Sequence, residues 1–373
     1  MNKEYTSLGL MSGTSADGVD ASIIQSDGKT KYKVIKDQYF EYNKELSQNF
    51  HNLKEKINTI NDLKNLKKEI LALEKKITLF HAKIVEEVSK NQKIDIVGFH
   101  GQTIYHNSSE KISNQLGDGR LLSQLTKKNI VYNFRQNDIL NDGEGAPLTP
   151  IFHQLLATQN NFDLPVSILN IGGISNITIV EGPTGTFDFS SRDIGPGNCL
   201  VDSWVRKNSS QSFDKDGLLA SKGTRNDIIF EQAQELFINR PNQNNLSFDV
   251  SDFDVSFARG LNLEDGATTL TDFTARIIGE GLSSLLSNLS HKPCKILICG
   301  GGRKNLTLIK EIKKNILKNI TVLSIDDYGI DGDFIESQAF AFLAIRSKLN
   351  LPISFPNTTG CKEPSTGGIV VEF

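Results

Sequence analysis

Apolar runs that alternate with polar residues open the chain and predict a sheet. Three such runs, separated by turn-forming residues, are Tyr5 to Leu10, Asp20 to Gln25 and Tyr32 to Tyr39. They are typical of strands joined by hairpins. From about Lys44 to Lys90 the apolar spacing becomes three and four residues, which predicts helix. Two further strands, Asp95 to Phe99 and Ile130 to Phe134, are then expected.

The helical stretch carries an apolar stripe that two arrangements explain. Its members are Leu66, Ile70, Leu73, Ile77, Phe80 and Ile84. A long helix lying on a sheet needs this stripe, and a coiled-coil arm needs it too, because the spacing also fits heptads. The lysines of residues 64–68 indicate a solvated face on the same stretch.

The second half repeats the order of the first. Its predicted elements are strands at Val166 to Ile171, Ile174 to Val180 and Thr186 to Phe189, a helix from about Asn198, a strand at Lys295 to Cys299, a helix at Leu306 to Leu317 and a strand at Thr321 to Ile325. Such a repeat predicts two like α/β domains, with their first hairpins lining a central cleft.

A connector rich in Gly and Pro, residues 141–150, suggests where the two domains meet. We expect an N-terminal lobe of residues 1–140 plus about 351–373, and a C-terminal lobe of residues 141–350. The last run, Gly368 to Phe373, predicts a short strand that returns to a sheet edge.

Composition narrows the class of protein. The 373 residues are 38% hydrophobic and 23% charged, as in soluble globular proteins, and their length favours two domains. A net charge of -3, from 41 basic and 44 acidic residues, gives no electrostatic reason to expect nucleic acid or an anionic membrane as partner. Anion binding, if present, has to be local.

The cysteines and the N-terminal sequence indicate the cellular compartment of the protein. Cys199, Cys294, Cys299 and Cys361 form no C-x-x-C pair and lie in or beside apolar segments. Buried free thiols in a reducing compartment are therefore expected, without a zinc site. The N-terminus leads directly into a strand, and no apolar run has the length of a signal core or a membrane span. We expect a cytoplasmic protein.

The turn after the first strand carries the residues of an anion site. Gly13 and Gly18 permit close approach of the backbone, while Thr14 and Ser15 add hydroxyl donors. Asp17 and Asp20 offer oxygen ligands to a hydrated Mg²⁺ ion. A metal-bound phosphate suits this turn, and so does an ordinary hairpin whose Asp and Ser side chains satisfy their own backbone.

Two later glycine turns resemble the first. Gly172 and Gly173 follow one strand, and Gly300 to Gly302 follow another. Three glycine turns, each directly after a strand, indicate a single nucleotide cleft. No Walker A sequence is present, which does not support a P-loop NTPase.

Six blocks, in order, resemble those of the anhydro-N-acetylmuramic acid kinase family. They are residues 11–20 (MSGTSADGVD), 98–103 (GFHGQT), 145–148 (GAPL), 170–176 (NIGGISN), 193–198 (DIGPGN) and 299–302 (CGGG). The likeness runs nearly end to end. It implies the duplicated ribonuclease H-like fold of sugar kinases, actin and Hsp70-type ATPases.

The resemblance also implies a reaction. ATP phosphorylates O6 of 1,6-anhydro-N-acetylmuramic acid while water opens the anhydro bridge, giving N-acetylmuramate 6-phosphate in cell-wall recycling. The base of the family maps to Asp193. A homodimer is carried over from the family.

The implied site residues fall into groups. Those for ATP are Ser12, Gly13, Thr14, Ser15, Asp17, Gly18, Gly172, Gly173, Ser175, Gly300, Gly301, Gly302 and Asn305. Those for the sugar are His100, Gln102, Thr103, Arg135, Asp138 and Glu336, with Arg135 the natural partner of the lactyl carboxylate. Asp17 and Asp20 are the implied Mg²⁺ ligands.

Structural roles compete with several of these assignments. Asp193 suits a helix start, His100 suits a hydrogen bond to a neighbouring turn, and Glu336 suits the first turn of a helix. Arg135 suits an ion pair with Asp138.

The chain departs from the family pattern in several places. Ala16, Asn133, Glu144 and Ile194 replace the usual Leu, Asp, Gln and Thr. A Lys-Ser-Thr-Gly-Arg loop has no clear counterpart near residues 242–248. None of these changes removes the proposed base.

Two rival functions share the expected fold. One is another sugar or acid kinase, or a phosphatase, because the site and not the fold sets function. The other is a nucleotide-switch ATPase that acts on a partner, although no additional substrate-binding domain is apparent in the sequence.

Overall fold

Two compact units make up the chain. The computed structural model describes residues 3–239, 247–248, 250–287 and 294–373. The first unit holds Met1–Phe162, Gly182–Ser190 and Phe334–Phe373, and the second holds Asp163–Glu181 and Ser191–Asp333. These bounds differ from the expected ones at residues 141–162, 182–190 and 334–350, which belong to the first unit. The segment near residues 242–248, in which the Lys-Ser-Thr-Gly-Arg loop has no clear counterpart, lies largely outside the described residues.

Strands and helices follow one another in short groups along the described chain. The strands are β1 (Tyr5–Met11), β2 (Gly18–Ser26), β3 (Tyr32–Glu41), β4 (Ile96–Asn107), β5 (Ile112–Leu116), β6 (Ile130–Tyr132), β7 (Val166–Ile171), β8 (Ile174–Val180), β9 (Phe189–Pro196), β10 (Cys294–Cys299), β11 (Ile320–Ser324) and β12 (Ile369–Val371). The α-helices are α1 (Lys44–Lys54), α2 (Ile60–Asn65), α3 (Lys67–Ser89), α4 (Gly119–Thr126), α5 (Gln136–Leu140), α6 (Pro150–Gln159), α7 (Cys199–Asn208), α8 (Asp227–Ile238), α9 (Leu263–Leu286), α10 (Leu306–Lys314), α11 (Ile335–Lys348) and α12 (Pro356–Thr359).

The first unit is built on a sheet of order β12-β6-β4-β1-β2-β3, with β5 paired to β4. Strands β1, β2 and β3 are antiparallel neighbours joined by short turns. Strands β1, β4 and β6 run parallel, as helical crossovers require. Strand β12 pairs with β6 at the sheet edge, which confirms the prediction for the C-terminal run.

The sheet of the second unit has the same order, β11-β10-β7-β8-β9. Strands β7 and β8 form the hairpin, and β7, β10 and β11 run parallel. With β5 and the edge strand β12 set aside, the first unit has the spatial order β3-β2-β1-β4-β6, and the second unit has the matching order β9-β8-β7-β10-β11. This ribonuclease H-like order occurs twice, so the predicted fold class is confirmed.

Helix α11 packs closely on the first sheet. Most of its residues are buried, the polar Ser337 and Gln338 among them. Glycines on two strands permit this approach. A Cβ at Gly9 of β1 would lie 1.9 Å from the Ser337 carbonyl oxygen, and one at Gly98 of β4 would lie 2.3 Å from that of Phe340. A side chain at either position would displace α11.

The amphipathic stretch of residues 44–90 forms three helices instead of one. Thr59 and Asp62 form a capping box that begins α2, with the Thr59 N–H donating to Asp62 over 2.8 Å. The stripe of α3, including Ile70, Leu73 and Ile77, is buried in the core of the first unit. The helix therefore lies on the sheet, and the coiled-coil alternative is wrong.

Other elements depart from the sequence predictions. The third strand of the second half runs over Phe189–Pro196 and not over Thr186 to Phe189. Strand β4 continues to Asn107 through polar residues that lack an alternating pattern. Helices α6 and α9 were not predicted, because their apolar residues cover more than one face.

Burial in the second unit centres on β7 and β10. Ile296 and Ile298 of β10 pack with Ile278 and Leu282 of α9 in one cluster. All four cysteines are buried and none forms a disulfide, which confirms the prediction. No helix among the described residues combines the length and the apolar character needed to cross a bilayer.

Candidate functional site

The first glycine turn joins β1 to β2 in the first unit. Thr14 and Asp17 are exposed on it, and a Cβ at Gly13 would contact only the Ser15 hydroxyl, at 3.8 Å. The Ser15 hydroxyl donates to an Asp17 carboxylate oxygen over 2.8 Å. Gly18 begins β2, where a Cβ would lie 2.4 Å from a main-chain carbonyl oxygen of β3. The turn is open on the side of its hydroxyl and carboxylate groups.

The proposed metal ligands lie on this turn and the strand after it. Asp17 is exposed, and Asp20 is partly buried on β2, opposite Met11 of β1. In the described part of the chain, no three His, Cys, Asp or Glu side chains are grouped to hold a metal by themselves. Magnesium is commonly held by one or two carboxylates together with substrate phosphates and water. The donor set therefore fits Mg²⁺ that arrives with a phosphate.

A bulge in β4 sets the next group of residues. Leu10 of β1 pairs with Phe99 and Met11 with Gly101, so His100 is the extra residue. Gly101 has a φ of +77°, a conformation that glycine adopts at little cost. After the bulge, the Gln102 amide donates to the Gly13 carbonyl oxygen over 2.7 Å. The bulge thus connects β4 to the first glycine turn.

Arg135 is hydrogen-bonded to His100. The Nε and Nη2 atoms of Arg135 lie 3.2 and 3.0 Å from His100 Nε2, and Nη1 donates to the Gly145 carbonyl oxygen over 2.8 Å. His100 Nδ1 contacts the Gly101 carbonyl oxygen at 2.9 Å, so this nitrogen carries the proton. Burial and the charge of Arg135 hold the pKa of His100 well below its usual value. A neutral imidazole therefore accepts from the guanidinium.

Glu336 lies in the first turn of α11 and is partly exposed. Desolvation raises the pKa of its carboxyl group, and the positive charge of Arg135 opposes that rise. Three predicted sugar residues, His100, Arg135 and Glu336, are thus brought together in the first unit. Thr103 lies further along β4, where its hydroxyl accepts from the Gln115 amide at 3.4 Å.

Asp138 has a structural role in the first unit. One carboxylate oxygen accepts from the Gly145 N–H and the other from the Thr359 hydroxyl, each over 2.7 Å. A Cβ at Gly143 would lie 2.3 Å from the same carboxylate. Asp138 therefore holds the loop whose Gly145 carbonyl in turn holds Arg135.

A polar cavity of about 190 Å³ adjoins His100 in the first unit. It is lined by Glu74, Phe99, His100, Ser113, Asn114, Gln115, Gly117, Tyr132 and Asn133. Burial raises the pKa of Glu74, and Asn133 has a φ of +55°, which Asn tolerates better than most residues. Carboxyl, amide, phenol and hydroxyl groups in one cavity suit a ligand rich in hydroxyl groups. Sequence reasoning did not find Glu74, Asn114 or Gln115.

The second glycine turn is bound to the start of α7. The Gly172 carbonyl oxygen accepts from the Asn198 N–H over 2.8 Å, and the Gly173 oxygen from the Gly197 N–H over 2.9 Å. Ser175 is fully buried and its hydroxyl donates to the Pro196 carbonyl oxygen over 3.1 Å. These bonds point the turn carbonyls toward the helix.

Asp193 lies within β9, six residues before α7, and not at a helix start. It is 6% exposed, and one carboxylate oxygen accepts the Phe248 N–H over 2.7 Å. The alternative that Asp193 stands at a helix start is wrong, because β9 continues to Pro196 and α7 begins at Cys199. The carboxylate is fixed by strand geometry and by a main-chain donor 55 residues away.

The third glycine turn lies beside the second, because β7 and β10 are parallel neighbours. Gly300 has a φ of +77° and its N–H donates to the Gly332 carbonyl oxygen over 3.0 Å. Gly301 has open space around its Cα, whereas a Cβ at Gly302 would contact Ile171. Asn305 caps α10, accepting the Leu308 N–H over 2.9 Å. Asn305 thus has a structural role at the start of that helix.

Three side chains that hold these turns were missed by the sequence analysis. Arg303, next to the third glycine turn, contacts three aspartates. Tyr42 and His81 contact Ser12 of the first turn. A basic residue directly after a glycine cluster could have indicated Arg303. No local signal indicates Tyr42 or His81, because their partner is distant in the chain.

Known proteins resemble this chain over its whole length. The sequence profile described as anhydro-N-acetylmuramic acid kinase matches residues 5–372. A protein of that name from Pelagibacter ubique is 56% identical over 374 residues, covering 100% of both chains. One from Zymomonas mobilis is 37% identical over 370 residues, covering 97% of this chain and 98% of its own.

Solved structures resemble it more distantly. A ROK family glucokinase from Streptomyces griseus, in complex with glucose and AMPPNP, covers 91% of this chain and 99% of its own. Its sequence identity is 13% and its TM-score is 0.40, too low for any inference to rest on it. The profile match and the two close relatives are sufficient by themselves: the chain belongs to the anhydro-N-acetylmuramic acid kinase family.

Proposed function

We propose that the protein is an ATP-dependent kinase that hydrolytically opens 1,6-anhydro-N-acetylmuramic acid and phosphorylates its O6. The product is N-acetylmuramate 6-phosphate, in peptidoglycan recycling. The observation that carries this proposal is the family match over residues 5–372. The relative with 56% identity, which is matched over 100% of both chains, supports it.

The proposed reaction breaks one sugar bond and forms two new ones. Water attacks C1, its proton passes to the Asp193 carboxylate, and the C1–O6 bond breaks. The released O6 attacks the γ-phosphorus of ATP, and ADP leaves. Asp193 suits this role because its carboxylate is buried and a main-chain N–H orients it, so the side chain has little freedom to move.

The sugar is proposed to contact residues of the first unit. Arg135 would pair with the lactyl carboxylate, since its planar guanidinium binds carboxylates through two donors. His100 orients Arg135 through its neutral Nε2. Gln102, Thr103 and Glu336 are proposed to bind sugar hydroxyl and amide groups. Asp138 is proposed to act through the Gly145 loop that holds Arg135.

The triphosphate is proposed to bind the glycine turns. Ser12, Gly13, Thr14, Ser15, Asp17 and Gly18 form the first turn, Gly172, Gly173 and Ser175 form the second, and Gly300, Gly301, Gly302 and Asn305 lie at the adenosine end. Main-chain N–H groups in such turns bind phosphate oxygens. Asp17 and Asp20 would hold Mg²⁺, which supplies positive charge to neutralise the phosphates.

We also propose a cellular compartment and an oligomeric state for the protein. Recycled wall sugars are phosphorylated where ATP is available, so we infer a cytoplasmic enzyme. A homodimer is inferred from the family resemblance. Sedimentation of the purified protein at several concentrations tests this state.

One mass-spectrometric assay tests the function. The protein is incubated with Mg-ATP and 1,6-anhydro-N-acetylmuramic acid, and the sugar product is weighed. Gain of both one water and one phosphoryl group is expected, whereas a simple kinase adds the phosphoryl group alone. Reactions without ATP and with glucose in place of the anhydro sugar are the controls. Equal turnover of glucose would favour a general hexose kinase instead.

A further inference from the structure

The carbonyl groups of the first glycine turn are held by three separate elements of the first unit. The Gly13 oxygen accepts from Gln102 of β4 over 2.7 Å, and the Ser15 oxygen contacts His51 Nε2 of α1 at 3.0 Å. The Asp17 oxygen accepts from the Tyr42 N–H over 2.8 Å. With its carbonyl oxygens turned toward protein donors, the turn keeps negative ends of its dipoles away from a bound anion.

Tyr42 also holds the other end of the same turn through its side chain. Its hydroxyl lies 2.9 Å from Ser12 Oγ, and Ser12 Oγ lies 3.5 Å from His81 Nε2. All three side chains are buried, at 5%, 2% and 0% exposure for Tyr42, Ser12 and His81. Tyr42 therefore contacts the residue that begins the turn and the residue that ends it.

The direction of the hydrogen bonds between Tyr42, Ser12 and His81 follows from the protonation of His81. Its Nδ1 lies 2.8 Å from the Ile77 carbonyl oxygen, which can only accept, so Nδ1 carries the proton. Burial lowers the pKa of His81 to about 4, so the ring is neutral at pH 7 and Nε2 accepts. Ser12 then donates to His81, and the Tyr42 hydroxyl donates to Ser12.

Such a network does more to fix the positions of its side chains than to raise the free energy of unfolding. Replacing both partners of a buried hydrogen bond by apolar groups costs little, whereas a fully connected set fixes one arrangement of its members. Edge-on packing of the Tyr42 ring against Phe80, with centroids 4.9 Å apart, leaves the hydroxyl little freedom. The network therefore acts by holding the Ser12 side chain in one position.

We propose that Tyr42 is a positioning residue for phosphoryl transfer, which fixes both ends of the first glycine turn so that its main-chain N–H groups match the phosphates of the nucleotide. The inference rests on the proposed use of ATP. It adds to that function a residue that touches neither nucleotide nor sugar and acts through Ser12 and Asp17.

The test compares two tyrosine variants of the full-length protein. Tyr42→Phe removes only the hydroxyl that holds Ser12. Tyr32→Phe is the matched control, because Tyr32 is also buried, packs edge-on against Phe152 with centroids 4.9 Å apart, and bonds through its hydroxyl to Asn160. Both variants lose one buried hydroxyl in the same unit, but only the first loses a contact to the turn.

Calorimetric titration with Mg-ATP and steady-state kinetics give the readout. We expect Tyr42→Phe to weaken ATP binding about five- to tenfold, as loss of one hydrogen bond implies, and to leave the KM for the sugar unchanged. Tyr32→Phe should bind ATP like the wild type. Ser12→Ala should weaken ATP binding too, and the double variant should lose less than the sum, because the two residues share one bond.

The outcomes separate this inference from the proposed function. Equal ATP affinity of Tyr42→Phe and wild type, or equal losses in Tyr42→Phe and Tyr32→Phe, overturns the positioning role. A weakened Tyr42→Phe in a protein that binds ATP but does not phosphorylate the sugar supports the inference and rejects the sugar reaction. Absence of nucleotide binding in the wild type overturns both. Should Tyr42→Phe not fold, His81→Gln decides by the same comparison, because His81 contacts Ser12 in the same network and is not among the proposed ATP contacts.

Discussion

Buried polar side chains of this protein are oriented by main-chain groups. Asp193 accepts an N–H from Phe248, and His100 donates to the Gly101 carbonyl group. Each such bond satisfies a polar atom that burial would otherwise leave costly, and each also defines one side-chain orientation. At the residue scale, the proposed chemistry therefore depends on orientation as much as on residue type.

Replacing Asp193 by Asn separates these two contributions. The amide oxygen of Asn can still accept the Phe248 N–H, so the fold should be retained, but the base is lost. We expect kcat to fall by roughly 10²- to 10⁴-fold, the usual contribution of a general base, with Mg-ATP affinity unchanged. Quenched-flow or coupled assays measure kcat, and calorimetry measures binding.

Asp214→Asn is the matched control for that variant. Asp214 is a buried aspartate of the same unit that also accepts main-chain N–H groups, from Leu219 over 2.8 Å and Ala220 over 3.0 Å. It should keep its kcat. If Asp193→Asn retained wild-type turnover, or if both variants lost it alike, Asp193 would not be the base.

At the element scale, one arginine joins the third glycine turn to the loop before α11. Arg303 is 7% exposed and binds both carboxylate oxygens of Asp326, over 2.7 and 3.0 Å, as well as Asp333. Its Nη1 donates to the Gly300 carbonyl oxygen over 3.1 Å. Asp326 in turn accepts the Gly332 N–H over 2.9 Å. Arg303 thus connects the turn to the loop through several hydrogen bonds.

Arg303→Lys should loosen this connection, because an ammonium group cannot reproduce the planar two-donor contact. We expect the free energy of unfolding to fall by about 1 to 2 kcal/mol, a modest value because Asp326 is 45% exposed, and ATP binding to weaken. Urea unfolding and calorimetry are the measurements. Arg276→Lys is the control, since Arg276 and its partner Glu280 are both 45% exposed; an equal loss in both variants would contradict the role of Arg303.

At the scale of the molecule, buried imidazoles set its response to acid. Burial lowers the pKa of His81 from 6.5 to about 4 and that of His153 to about 3, and His100 is lowered as well. Between these values and pH 6.5 the unfolded chain binds protons that the folded chain does not. Stability from these groups is therefore full above pH 6.5 and falls as the pH decreases through 4 toward 3.

Urea unfolding at a series of pH values should show this loss. For His153 alone, a shift from 6.5 to about 3 corresponds to roughly 5 kcal/mol at most, at 1.36 kcal/mol per pH unit. His153→Gln should flatten the dependence between pH 6.5 and 4, and above pH 7 its difference from wild type should be constant. An unchanged slope in the variant would show that His153 does not titrate on unfolding in this range.

Much of the fold and part of the site could be predicted from local patterns. Alternation of apolar residues located the hairpins β1–β2 and β7–β8, because strand period is a property of neighbouring residues. The glycine turns after β1, β7 and β10 were found in the same way. The six sequence blocks indicated the family, and Asp193 as the candidate base, because each block is a run of adjacent residues.

The tertiary structure alone decided which distant residues hold these local features. Tyr42 and His81 lie 30 and 69 residues from Ser12, and the Phe248 N–H lies 55 residues from Asp193. Most of the strands, the glycine turns and the chemistry these turns offer could be located from the sequence, since they follow from residues that are next to one another, whereas β5 and the bounds of β9 could not. The sequence could not determine partners, because contacts between remote segments depend on how the whole chain packs, and no pattern of neighbours records that.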